Sequence, residues 1–159
     1  MAATWLPWSR ALQRATISGS VAAALSSVSL ALLGRREAGS ALAPINAVSH
    51  WIWGRRATRQ DGASAKYTLL GYLTHHAASI FWAIFFERMF GRRAQHDPAS
   101  ALASGAAIAT LAAVVDYTIT PKRLTPGYEK RLSPPSLAVV YAAFAAGLAL
   151  TDIVRDWRR

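Results

Sequence analysis

Four stretches of the chain, residues 16–33, 67–86, 100–120 and 136–153, hold two carboxylates and no lysine or arginine among them. That arrangement constrains the fold more than any other property. At a rise of 1.5 Å per residue, about 20 residues of helix match a hydrocarbon core of roughly 30 Å. Lipid satisfies no backbone donor or acceptor, and none of the four stretches shows the in–out alternation of a barrel strand, so helices are the structures that can occupy them. The expected fold is all-α: an integral membrane four-helix bundle, forming a single transmembrane domain over residues 1–159.

The rest of the composition fits this segregation. Hydrophobic residues make up 53% of the chain and the mean hydropathy is +0.20, yet the net charge is +10. The 18 lysines and arginines lie between the apolar windows and at the termini, spread over five segments. Nucleic-acid binding concentrates basic residues on one face, whereas scattered flanking charge suits anionic lipid headgroups, the expected partner here. Counting them by side gives eight with the termini and the second connection against ten in the first and third connections, too even a split to orient the chain. The absence of cysteine removes disulfides, thiolate metal sites and thiol nucleophiles.

Arg10 and Arg14 precede the first window, as in a secretory signal, but Arg35, Arg36 and Glu37 follow it where a cleavage region is small and neutral; an uncleaved span is expected. Its Gly19, Ala22, Ala23 and Ser26 permit close helix approach. Ahead of it, Trp5, Leu6, Trp8 and Leu12 interleaved with the arginines read as a short segment lying in the interface. Trp51, Trp53, Tyr67, Tyr117 and Trp157 sit near span ends, as in an aromatic belt. In the first connection, Ala41 to Gly54 is apolar but too short to cross; it is predicted as an additional short interfacial or re-entrant helix, with Pro44 in its first turn. The third connection, KRLTPGYEKRLSPP from Lys122, has the prolines and glycine of an ordered turn.

Ionisable groups within spans are costly and therefore point to function. His75 and His76 lie well inside the second window, and Asp116 lies one turn from the end of the third. Antiparallel spans bring these, with Tyr141 of the fourth window and His50 of the short helix, toward one membrane face. The candidate polar cluster is thus His50, His75, His76, Asp116 and Tyr141. Adjacent histidines on a helix diverge by about 100°, so His75 and His76 are expected to serve different neighbours. Three readings compete: a structural hydrogen-bond network; a haem or divalent-metal site using His50, His75, His76 and Asp116; and a proton or small-solute path. No H-E-x-x-H or i, i+4 histidine pair supports a metal, and no cofactor is predicted from the pattern. Glu87–Arg88 and Asp152 with Arg155, near Arg92 and Arg93 at the opposite face, read as an ion-paired interfacial rim. No serine sits in G-x-S-x-G, and no glycine-rich phosphate loop occurs.

Three stretches, PINAVSHWIWG from Pro44, THHAASIFWAIFFE from Thr74 and VDYTITPKRLTPGYEKRLS from Val115, resemble a family of small uncharacterised inner-membrane proteins of proteobacteria. The resemblance implies a multi-pass protein of the bacterial inner membrane and carries no activity or catalytic residue with it. The expected role is accessory or structural, in contact with lipid, with a second copy in a homo-oligomer, or with a larger membrane complex. The alternatives are a His/Asp metal or haem protein and a proton-linked transporter. Whether the chain is an enzyme is not decided by its sequence.

Overall fold

A computed structural model describes residues 5–94 and 97–156, with side chains up to residue 154. Arg155's side chain and Trp157, assigned above to the rim and the aromatic belt, lie outside the described residues.

All the described regular structure is helical. Helix α1 is Trp8–Glu37, α2 Ala43–Val48, α3 His50–Trp53, α4 Leu70–Ala94, α5 Pro98–Val114 and α6 Pro134–Asp156. One π turn, Ala65–Leu69, leads into α4 and another, Val115–Ile119, extends α5. Four of these units are long and apolar enough to cross a membrane: Trp8–Glu37, Ala65–Ala94, Pro98–Ile119 and Pro134–Val154. Only 28–39% of each apolar window is buried within the protein. The remainder, including Leu32, Phe81 and Ile119, faces outward as an apolar surface that water would penalise and lipid accommodates.

Each boundary has a local cause. Asp97 caps α5 by accepting from the amides of Ala99 and Ser100 at 3.1 and 3.0 Å, with Pro98 in the first turn where no donor is required. Pro44 plays the latter part in α2. Arg35 and Arg36 occupy the last turn of α1, where cations oppose the helix dipole.

The spans pack as a ring in which α1 and α5 are opposite one another, each touching α4 and α6. Small residues set the spacing. A Cβ on Gly147 of α6 would lie 2.4 Å from the Cα of Ala22, and one on Gly105 of α5 would lie 2.5 Å from the carbonyl oxygen of Ala145. Helix backbones in lipid gain contact by this kind of approach rather than by a hydrophobic drive between helices. Phe86, Ile108, Phe144 and Leu148 fill the centre.

Two expectations need correction. The first span begins well before residue 16: Trp8 to Arg14 are already helical, so no separate interfacial segment stands there. Instead Leu6 is buried and its amide donates to the carbonyl of Arg88 at 3.3 Å, while the Arg88 guanidinium lies 4.8 and 5.0 Å from the rings of Trp5 and Trp8. The chain preceding α1 is docked on the end of α4. The Ala41–Gly54 helix is also divided in two, and α2 is wholly buried against α4. Contact is close enough that a Cβ on Gly71 would meet the carbonyl oxygen of Ile45 at 2.1 Å.

The first and third connections interlock as a cap over one end of the bundle. Asn46, fully buried, donates to the carbonyls of Gln60 and Gly62 at 3.0 Å each and accepts from Thr68 at 2.7 Å. Trp51 Nε1 donates to the carbonyl of Thr125 at 2.8 Å. Arg131 pairs with Asp61 and donates to the carbonyl of Thr58 at 2.9 Å. Glu37 accepts from the Ser133 amide at 2.7 Å and from the hydroxyls of Ser133 and Ser136. Gly127, at φ +94°, crosses over α2 where a Cβ would lie 2.5 Å from the carbonyl oxygen of Ala47, so the turn needs glycine on both conformational and steric grounds.

Candidate functional site

Beneath the cap the helices enclose a cavity of about 680 Å³, within the range of about 300–1,000 Å³ usual for small-molecule sites. Its walls are mostly apolar. Leu73, Ala77 and Phe81, at i, i+4 and i+8 along one face of α4, oppose Ala112 and Val115 at the end of α5. Leu73 and Phe81 are also 51% and 53% exposed on the outer surface of the bundle. The cavity therefore reaches the outer surface of the bundle between α4 and α5, while Trp51, Leu124, Pro126 and Tyr128 of the cap line its other end.

Its polar groups gather near the cap: His75, Asp116, Tyr128 and Tyr141, with Ser26 behind His75. Tyr141 donates to Asp116 Oδ2 at 2.6 Å. The second carboxylate oxygen of Asp116 has no hydrogen bond among the described residues, and no ion pair is formed there by Asp116. The Tyr117 ring stands edge-on to Tyr141 at 6.2 Å, and the Tyr128 ring edge-on to His75 at 6.3 Å. Tyr128 lies outside the spans, and burial pushes its phenol well above the ordinary tyrosine value, so it is a neutral hydroxyl.

The Ser26 hydroxyl joins His75 to α1: its Oγ lies 2.7 Å from the carbonyl of Ala22, one turn back, and 2.9 Å from His75 Nε2. His75 Nδ1 has no hydrogen bond among the described residues. His76 is held likewise: Ser20 donates to the carbonyl of Thr16 at 2.6 Å and lies 2.8 Å from His76 Nε2. The adjacent histidines thus bind two different serines of α1.

Of the five residues singled out by sequence, the structure places His75, Asp116 and Tyr141 on the cavity. His76 faces α1 outside it, and His50 lies in the cap beneath Gly127, its Nδ1 2.9 Å from the carbonyl of Ala47. Among the described residues no three His, Asp or Glu side chains converge as ligands of one ion, so the set His50, His75, His76 and Asp116 is not assembled into a common site. Tyr128 escaped the sequence reading because it belongs to a proline–glycine loop whose return under the cap has no local signal.

The opposite face corrects the expected ion-paired rim. Glu87 and Asp152 are fully buried and turn inward, where both engage Arg14 of α1. Arg14 Nε lies 2.8 Å from Glu87 Oε2, its Nη2 pairs with Asp152, and its side chain is 14% exposed. Three spans are joined by one internal ionic node. A signal existed in the sequence: Arg14 just before the first window, Glu87 just after the second and Asp152 at the end of the fourth share one leaflet and nearly one depth. The chain matches no family model, no curated protein and no solved structure.

Proposed function

We propose that this protein is a small accessory component of a bacterial inner membrane that holds one lipophilic molecule in its bundle, taken up sideways from the bilayer. The observation that carries the reading is the cavity, whose apolar walls reach the outer surface of the spans at Leu73 and Phe81 while residues of the interlocked cap line its other end. A water-soluble solute would meet the cap. A lipid-dissolved one meets an opening between α4 and α5 at its own depth, with a polar pole at the level of the cap and an apolar pole around Phe81, Trp82 and Phe144. The inner membrane as the compartment rests on the sequence resemblance.

Saturable binding of dodecanol to the purified protein in nanodiscs of zwitterionic lipid, measured against empty nanodiscs, tests the reading. One molecule per chain is expected, lost in Ala78→Phe, which fills the cavity from its wall, while the variant keeps its helical circular dichroism. Binding that is unsaturable, or unchanged in Ala78→Phe, refutes it.

A further inference from the structure

We propose that the ligand of this cavity is a lipophilic organic cation, in its simplest form a protonated alkylamine; the inference rests on the binding role just proposed and specifies its chemistry. The polar pole offers acceptors. One oxygen of Asp116 is unengaged among the described residues, and His75 Nδ1, on the same cavity, has no partner there. Tyr128 adds a neutral hydroxyl that can accept or donate. An ammonium group, with several N–H donors and a positive charge, complements an open carboxylate oxygen and a hydroxyl that can accept.

Charge points the same way. No lysine or arginine is among the residues lining the cavity. Glu129 of the cap adds negative potential at Asp116; it is shared with Lys130 at 3.3 Å and with the Thr125 hydroxyl at 2.8 Å. Lys122 and Arg123 belong to the same connection, yet neither forms an ion pair with Asp116. A carboxylate in a half-buried apolar setting without a countercharge is stabilised in its charged form by a cation brought to it. An anionic headgroup, a fatty acid or a phospholipid phosphate, would face Asp116 with nothing to neutralise it. The rings of Tyr128 and Tyr141 line the same cavity as Asp116, and aromatic faces attract cations, most strongly where water is excluded.

Three probes with one chain length and different heads separate the possibilities: dodecylamine, protonated at neutral pH, dodecanol and dodecanoate. Radiolabelled dodecylamine is bound to the full chain in zwitterionic nanodiscs and competed by each of the three, with empty nanodiscs subtracted. The ammonium is expected to bind at least about tenfold more tightly than the alcohol, and the carboxylate most weakly, because a charge-assisted hydrogen bond is roughly twice as strong as a neutral one. Asp116→Asn is expected to erase the preference for ammonium over alcohol while dodecanol still binds, and Asp116→Glu to retain it. Should Asp116→Asn fail to fold, the wild-type ranking together with Asp116→Glu decides. Equal affinity for alcohol and ammonium, effective competition by dodecanoate, or an undiminished ammonium preference in Asp116→Asn overturns the inference and leaves the cavity as a neutral-lipid site. Failure of all three probes to bind overturns the binding role itself.

Discussion

Removing the Arg14 guanidinium should destabilise the bundle more than any other single truncation of a charged side chain described above. At the 2.8 Å separation of Arg14 and Glu87, the Coulomb attraction is about 6 kcal/mol for an effective dielectric constant near 20. That is a gross figure, offset by the desolvation of both groups. The asymmetry of the node matters more: Arg14→Leu removes the cation that bridges Glu87 and Asp152, both fully buried, and leaves them only their remaining contacts. Breaking a buried pair from one side typically costs about 3–5 kcal/mol, a loss of between roughly a hundredfold and a few thousandfold in the folded-to-unfolded ratio. Reversible unfolding in mixed micelles of dodecyl maltoside and dodecyl sulfate, followed by circular dichroism, measures the change. Replacing the whole node, as Arg14→Leu with Glu87→Leu and Asp152→Val, should recover most of the loss, since a packed apolar set of similar volume is often as stable as a buried ionic one. A loss below about 1 kcal/mol in the single variant would refute the reasoning, as would a triple variant less stable than the single; either would mean the carboxylates are satisfied without Arg14.

The remaining predictions concern the cap and the helix ends. Gly71→Ala forces a Cβ to within 2.1 Å of the Ile45 carbonyl oxygen, and should lower stability by about 1–3 kcal/mol, read as a lower melting temperature. Asn46→Ala removes two donors and one acceptor that tie the first connection together, and should cost about 1–3 kcal/mol; proteolysis between residues 55 and 64 should quicken while the spans stay protected. The Asp97 carboxyl is held below its usual range by the Ser100 hydroxyl and by the Ser100 and Ala99 amides. A depressed pKa means that the stabilisation is present above the unfolded value, about 3.9, and is lost as pH falls through the lower folded value. The hydrogen-exchange protection factors of the first turn of α5, referred to the intrinsic rate at each pH, should fall on acidification below about pH 4, and Asp97→Asn should abolish that dependence.

The cavity's polar pole illustrates how far a sequence can be followed. His75 and Asp116 stood out because an ionisable residue in an apolar run is costly wherever it points, a statement about composition that needs no coordinates. Tyr141 joined them through antiparallel topology. His50 and His76 met the same criteria and yet belong elsewhere, one under Gly127 and the other against Ser20, because a residue's depth is readable from its position whereas its azimuth depends on which helix packs beside it. The ionic node shows the converse. Arg14, Glu87 and Asp152 looked like surface charges because each lies beyond or at the edge of an apolar window. The helices run further than the windows, Trp8–Glu37 against 16–33, and carry those residues into the bundle.

By itself the sequence determined the solvent, the helical class and the number of crossings, because backbone hydrogen bonding in lipid leaves a stretch of apolar residues no other structure. It also determined where close packing was permitted, through glycine and alanine, without saying which helices would meet there. Tertiary structure alone decided the ring order of the spans, the docking of α2 beneath Gly127, the pairing of Arg14 with two carboxylates from other helices, and the lateral opening between α4 and α5. Each of these joins residues far apart in the chain. Their selection rests on shape and on the pairing of charges across helices, quantities that arise only when separate segments meet and to which no local pattern of residues corresponds.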